Sequence, residues 1–410
     1  MTERKVYMDN SATTRMDSMV KEEMDKYFTE IYGNPGSFHS IGLDAKQAMD
    51  NARERAAKVL NAKTSEIIFT GSGTESINMA IKGLAYAVQG KKKHIITSTA
   101  EHHAVLETCE YLEKKGFDVT YLKVDRDGLI DLDELKNAIR DDTFLVSIMY
   151  ANNEVGTVQD IKEIGKICSE KNVKFHTDAC QASGYLDLDV KELNVDMLTL
   201  NGSKVYGPKG VGLLYLKMGT VIEPLIHGGG QENNKRSGTE NVPGIMAFVK
   251  ALEIAQENRV AESERLVALR NKMIREVMEK IPKVVLNGHP TKRLPNNVNL
   301  SFLDVEGEAI LLYLDSKGIY ASSGSACTSK TLDPSHVILA MGVPYEFAHG
   351  SIRFSLGKET TAEDVDYVIK VLPEIIQNLR NISPFNLDLE NVESEQKKIR
   401  EKIRIHEAKK

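Results

Sequence analysis

The sequence has 410 residues, 41% of them hydrophobic and 27% charged, a balance that excludes disordered and fibrous chains and allows two or three domains. Lys and Arg total 53 against 59 Asp and Glu, a net charge of −6 that excludes a strongly basic nucleic-acid or membrane surface. No apolar run approaches the ~18 residues of a membrane span. The start, MTERKVYMDNSATT, has no signal-peptide core. The expectation is a cytoplasmic protein with no direct contact to nucleic acid or membrane.

Seven short runs are expected as strands, at residues 66–70, 94–98, 119–124, 144–149, 173–178, 197–200 and 211–216. Each is rich in β-branched or aromatic residues and ends in polar or glycine punctuation. Helical patterns at 74–88 and 161–171 lie between them, the second with apolar residues at Ile161, Ile164 and Cys168. Strands separated by helix-length crossovers predict an α/β domain around a mainly parallel sheet. Residues 248–280 read as one long charged helix connecting two lobes. Beyond it, strands are expected at 297–302, 319–322 and 350–355, and helices at 306–315, 334–341 and 362–380. These boundaries give a large domain at 15–260, a smaller α+β domain from 1–14 and 261–385, and a charged tail at 386–410.

Four segments combine residues that could carry chemistry. TGSGTESIN at 70–78 is a glycine turn entering a helix, where free amides suit a phosphate, although the pattern alone favours a plain turn with an N-cap. Asp178 ends a predicted parallel strand in DACQ, the place where α/β sheets hold ligands; a helix N-cap is the alternative. Lys204, in NGSKVYGPKG at 201–210, lies between a strand and a rigid turn, as a carbonyl-capturing lysine would, or as a solvated one. Cys327, in ASSGSACTS at 321–329, has no large neighbour to pack on, so a reactive thiol competes with an inert one. The other three cysteines are 109, 168 and 180. The first two read as buried small hydrophobes, and Cys180 as filler beside Asp178. So low a count fits a reducing compartment. No Cys/His cluster has metal-ligand spacing.

Together these segments resemble a known family, the pyridoxal 5′-phosphate (PLP) cysteine desulfurases of the IscS/NifS type, within the class-V aminotransferases. The resemblance runs through YMDNSATT (7–14), GNPGS (33–37), FTGSGTESIN (69–78), EHHAV (101–105), NNEVGTVQDI (152–161), HTDACQ (176–181), KVYGPKG (204–210), HGGGQE (227–232), RSGTEN (236–241), SSGSACTS (322–329) and SIRFSLG (351–357). It implies fold type I, a large domain with a mainly parallel seven-stranded sheet plus a smaller α+β domain. It implies that Lys204 holds PLP through its amine and moves the substrate Cα proton, and that Asp178 pairs with the pyridine nitrogen. His102 would stack on the ring and shuttle protons, and Gln181 would reach the ring oxygen. Gly73, Thr74, Asn201 and Ser203 would hold the phosphate, with Thr239 arriving from the second subunit of a homodimer. Arg353 would clamp the carboxylate of L-cysteine, with Asn153 beside it and beside the cofactor. Cys327 would accept sulfur as a persulfide and pass it to an iron–sulfur scaffold protein, a tRNA-thiolation protein or another acceptor; it could also contact a nascent cluster. No resident metal is implied.

One departure stands out. The family's usual S-G-H-K before the cofactor lysine is Asn201-Gly202-Ser203-Lys204 here, so an imidazole is lost while hydroxyl and amide donors remain. Selenocysteine lyase or another fold type I PLP enzyme is the nearest alternative reading. A non-catalytic assembly scaffold is a more distant one.

Overall fold

The structure, a computed structural model, describes residues 4–324 and 334–384. Twelve strands occur among them: β1 (Val6–Tyr7), β2 (Ile67–Thr70), β3 (His94–Ser98), β4 (Asp118–Leu122), β5 (Thr143–Ser147), β6 (Lys174–Asp178), β7 (Met197–Asn201), β8 (Gly212–Leu216), β9 (Val284–Leu286), β10 (Asn297–Phe302), β11 (Ile319–Tyr320) and β12 (Ser351–Ser355). All seven runs expected in the first half form strands, displaced at their ends by one or two residues. They build one sheet in the order β2-β8-β7-β6-β5-β3-β4. Only β8 runs against its neighbours; the other six strands are parallel. Strands β2, β3, β5 and β8 are buried at every position, which is why apolar residues stand next to one another in them rather than alternating with polar ones.

The second half corrects one expectation. Residues 248–280 are not a single connecting helix. Val242–Glu257 and Arg259–Lys280 are separate helices that meet at Asn258. The first starts on an Asn241 cap with Pro243 in its opening turn and buries Ile245, Met246, Phe248, Val249 and Leu252. Such a face cannot be a solvated connector: it packs against the helices Ser18–Thr29 and Ser40–Leu60, two elements beyond those expected from the sequence. A smaller antiparallel sheet, β12-β10-β9, places Arg353 opposite Asn299. Strand β1 pairs in parallel with β11, which brings the N-terminal residues beside this second sheet. Helix Ala362–Ile382 packs against the helices Arg259–Lys280 and Gly307–Ser316, entered through a capping box between Thr361 and Asp364 and buried at Val365, Val368, Leu372 and Ile376.

The expected loop around Cys327 and the expected tail at 386–410 fall outside the described residues. Among the described residues, no helix is long and apolar enough to cross a membrane, and no cluster of three metal-ligating side chains occurs.

Candidate active site

At the carboxyl ends of β6 and β7 a cavity of about 270 Å³ opens between the two sheets. Its wall includes Gly73, Thr74, His102, Asn153, Asp178, Gln181, Asn201, Lys204 and Arg353. Residues separated by up to 280 positions in sequence thus share one chamber. Ser203 and Thr239 are not on its wall. Ser203 lies 3.5 Å through its hydroxyl from Asn201 Oδ1, and Thr239 is on an exposed loop.

The floor is set by the ends of the large sheet. Asp178 is the last residue of β6, and its Oδ1 accepts the Cys180 amide at 2.9 Å, which aims the carboxylate across the strand ends. Asn201 closes β7 and caps the short helix Gly202–Lys204, whose last residue is the lysine. Lys204 Nζ reaches over the floor and donates to the carbonyls of Ser11 and Ala12, both at 2.7 Å. Gln181 is held by the same segment, donating from Nε2 to Ser11 O at 2.9 Å.

Beyond β2, Ser72 caps the helix Gly73–Ala87 by accepting from the Glu75 amide. The Gly73 and Thr74 amides ahead of it have no acceptor among the described residues. A Cβ at Gly73 would stand 2.9 Å from Cys180 Sγ, so only glycine lets this helix start against the floor. Cys180 therefore packs beneath the helix start, and burial pushes its thiol well above the ordinary range.

His102 caps the helix His103–Glu113, its Nδ1 accepting the Ala104 amide at 3.0 Å. That bond leaves Nε2 to carry the proton of the neutral ring. Burial holds the imidazole below its ordinary pKa; the Asp178 charge opposes this and the Lys204 charge adds to it. On the opposite wall, Arg353 is almost wholly buried. Its Nη1 donates to Asn153 O at 3.0 Å and to Gly324 O at 3.4 Å, its Nη2 to Asp9 Oδ1 at 2.9 Å, and its Nε has no partner among the described residues.

Four polar cavity residues had no expected role. Ser11, His103 and Glu154 sit inside motifs quoted for their neighbours, as does Glu101 behind the wall, so the signal was present and unused. His336 had no such signal: only the fold brings its Nε2 to Glu101 O, at 2.9 Å, and its ring to 4.5 Å from that of His103. Glu101 is fully buried, and burial pushes its carboxyl up to about 8, against the opposing Met149 amide and Ser98 hydroxyl bonds.

The family model described as "Aminotransferase class-V" matches residues 6–368. The chain belongs to the class-V aminotransferase family. A curated relative, the "Cysteine desulfurase IscS" of Methanosarcina thermophila, is 57% identical over 384 residues, covering 93% of this chain and 95% of the relative. A solved "NIFS-LIKE PROTEIN" superposes with a TM-score of 0.87 at 43% identity, over 92% of this chain and 100% of that one. Another solved structure, "SspA in complex with cysteine", gives 0.76 at 37% identity, over 86% and 99% of the two chains. The α/β architecture with its mainly parallel seven-stranded sheet is fold type I.

Members of this family are PLP enzymes, and the cavity's residues fit that cofactor. The unclaimed amides of Gly73 and Thr74 at a helix start suit a phosphate. Asp178 suits a protonated pyridine nitrogen, and the amine of Lys204 reaches the same chamber from the next strand. The buried Ser11 hydroxyl, which has no partner among the described residues, offers one more polar contact.

Proposed function

We propose that this chain is a cysteine desulfurase, converting L-cysteine to L-alanine and leaving the sulfur as a persulfide on Cys327. The observation that carries the reading is the convergence of Lys204, Asp178 and Arg353, from two sheets, on one cavity. The names of the relatives add to it.

Bound PLP supplies the electron sink that lets a Cα proton leave and weakens the Cβ–Sγ bond. Lys204 holds the cofactor and afterwards carries that proton. Asp178 keeps the pyridine nitrogen protonated. Arg353 receives the substrate carboxylate, and its Nε, without a partner among the described residues, is a donor for a second contact. His102, held neutral by burial with its proton on Nε2, shuttles protons at the substrate thiol by giving up that proton and taking the thiol proton in its place. The Cys327 thiolate then attacks the substrate sulfur: an S–S bond forms, the Cβ–Sγ bond breaks with its electron pair staying on carbon, and protonation of that carbon yields alanine. Cysteine and one enzyme thiol thus become alanine and one persulfide, with no external oxidant.

The reading extends to a homodimer in which Thr239 of one subunit serves the phosphate of the other. Its exposed position, off the wall of its own cavity, is compatible with that. The sulfur acceptor is taken as an iron–sulfur scaffold or tRNA-thiolation protein, in the cytoplasm, where the free thiols of Cys109, Cys168 and Cys180 are stable. We assign the large sheet to a domain spanning 15–260, and the second sheet to one formed by 1–14 and 261–385.

The test is exposure of the PLP-loaded protein to cysteine alone. Alanine is expected to form, and a mass gain of ~32 Da, one sulfur atom, on the peptide holding Cys327. Cys327→Ala is expected to keep the visible PLP absorbance and lose both products. Full turnover in that variant overturns the assignment of Cys327. A protein that never takes up PLP overturns the whole reading.

A further inference from the structure

Tyr206 stands two residues beyond Lys204 with φ of +63°, a left-handed backbone that is an outlier for a bulky side chain. Such a conformation persists only where its surroundings over-determine it, and here they do. The Tyr206 amide donates to Thr14 Oγ1 at 2.8 Å, and its carbonyl accepts the Asp17 amide at 3.0 Å. Its hydroxyl accepts the Lys358 amide at 2.8 Å and shares a hydrogen bond with the Tyr185 hydroxyl, which in turn accepts from Asn296 Nδ2 at 3.2 Å. The Lys358 ammonium lies 5.1 Å from the ring centroid.

These bonds come from both sides of the cavity. Thr14 also donates from its amide and its hydroxyl to Ser203 O, at 2.9 and 3.0 Å, so one residue brackets Lys204 before and behind. Lys358 lies just past β12, the strand that carries Arg353, and Asn296 lies just ahead of β10, its partner strand. The lysine's turn is therefore tied to the strand that carries the carboxylate clamp, through contacts that avoid the cavity itself.

We propose that Tyr206 is a positioning residue that sets the register of Lys204 against Arg353, an inference that rests on the roles given to those two residues above. Without the tyrosine's anchors the turn loses its left-handed geometry, and the amine no longer stands over the Cα proton of a substrate gripped by Arg353.

The experiment uses the PLP-loaded protein and four variants: Tyr206→Phe, Tyr206→Gly, Thr14→Val and Thr14→Ser. The readouts are kcat and KM for alanine formation and the pH titration of the visible PLP band, which reports the amine's setting. Because a misplacement near 1 Å costs up to about a hundredfold, Tyr206→Phe is expected to lower kcat roughly tenfold and to move KM by less than about threefold, with a displaced titration midpoint. Thr14→Val is expected to reproduce that pattern, and Thr14→Ser, which keeps the hydroxyl, to recover most of the loss. Tyr206→Gly is expected to lose more than Tyr206→Phe, and if it does not fold the other three decide. Parent values of kcat and titration midpoint in both Tyr206→Phe and Thr14→Val overturn the proposal. Lys204→Ala, measured alongside, separates the two levels. If it turns over like the parent, the role of Lys204 itself falls; if it is inactive while the Tyr206 and Thr14 variants match the parent, only the positioning role falls.

Discussion

The two walls of the cavity are braced in different ways. On the large-sheet side three side chains are oriented by a backbone amide two residues further on: Asp178 by Cys180, Asn201 by Ser203, His102 by Ala104. On the small-sheet side Arg353 is oriented by partners 200 and 344 residues away, the Asn153 carbonyl and the Asp9 carboxylate. Short-range bracing forms whenever the local turn forms. Long-range bracing exists only after both sheets have assembled. The floor is thus preorganised by its own sequence, and the clamp is preorganised by the fold. Lys204 belongs to the floor by position but to the wall by bracing, since its amine rests on Ser11 and Ala12 at the far end of the chain.

That difference can be broken at either wall. The largest effect is expected from Lys204→Ala, which removes the proton carrier; kcat should fall by about 10³-fold or more, at the upper end of what one acid–base group contributes. Next is His102. Burial keeps its ring neutral below the ordinary value of 6.5, so the acid limb of kcat/KM against pH is expected under that value. His102→Gln should flatten the limb and lower kcat by roughly 10²-fold; an acid limb above pH 6.5 would remove the imidazole from the proton path. At the other wall, Arg353→Lys replaces a fork by a point charge, and KM for cysteine should rise about tenfold with a smaller change in kcat. Asp9→Asn is expected to shift KM in the same direction and by less, because Nη2 keeps an acceptor but loses the charge. Equal effects of the two substitutions would show that the brace, rather than the guanidinium, carries recognition.

The same contrast explains what could be read from sequence. All seven strands of the large sheet were legible, because each is a short run rich in β-branched or aromatic residues whose ends are punctuated by polar or glycine residues. Asp178, Asn201 and Lys204 were legible for the same reason: a strand end followed by its own cap is a local pattern. The helix Val242–Glu257 was misjudged because the charged helix that follows it blurs into one periodicity, and a single Asn258 marks the break. Strands β1 and β9, of two and three residues, are too short to show a period. His336 was illegible for a deeper reason. Its role depends on where a helix of the second half docks on the His102 turn, and no spacing in the sequence encodes a contact across 235 residues.

Glu101 offers the finest test of the preorganised floor. Its carboxyl is fully enclosed, accepts from the Met149 amide and the Ser98 hydroxyl, and lies near the Asp178 charge, which adds to the effect of burial. Its folded pKa, about 8, is above the ordinary 4.5. The folded state therefore holds a proton that the unfolded chain releases, and the sign follows. The group's contribution to stability is fully present below about pH 4.5 and diminishes as pH rises towards about 8, by at most roughly 1.4 kcal/mol per pH unit for one proton. In Glu101→Gln that slope has no source, so denaturant unfolding measured across this window is expected to show a shallower decline than in the parent. The Gln amide can still accept from Met149, so the turn that presents His102 should survive and kcat at neutral pH should change by less than the His102 and Arg353 substitutions change their own readouts. Identical slopes in the two proteins would mean that Glu101 is ionised in the folded state, and the floor would then hold two buried carboxylates, Glu101 and Asp178.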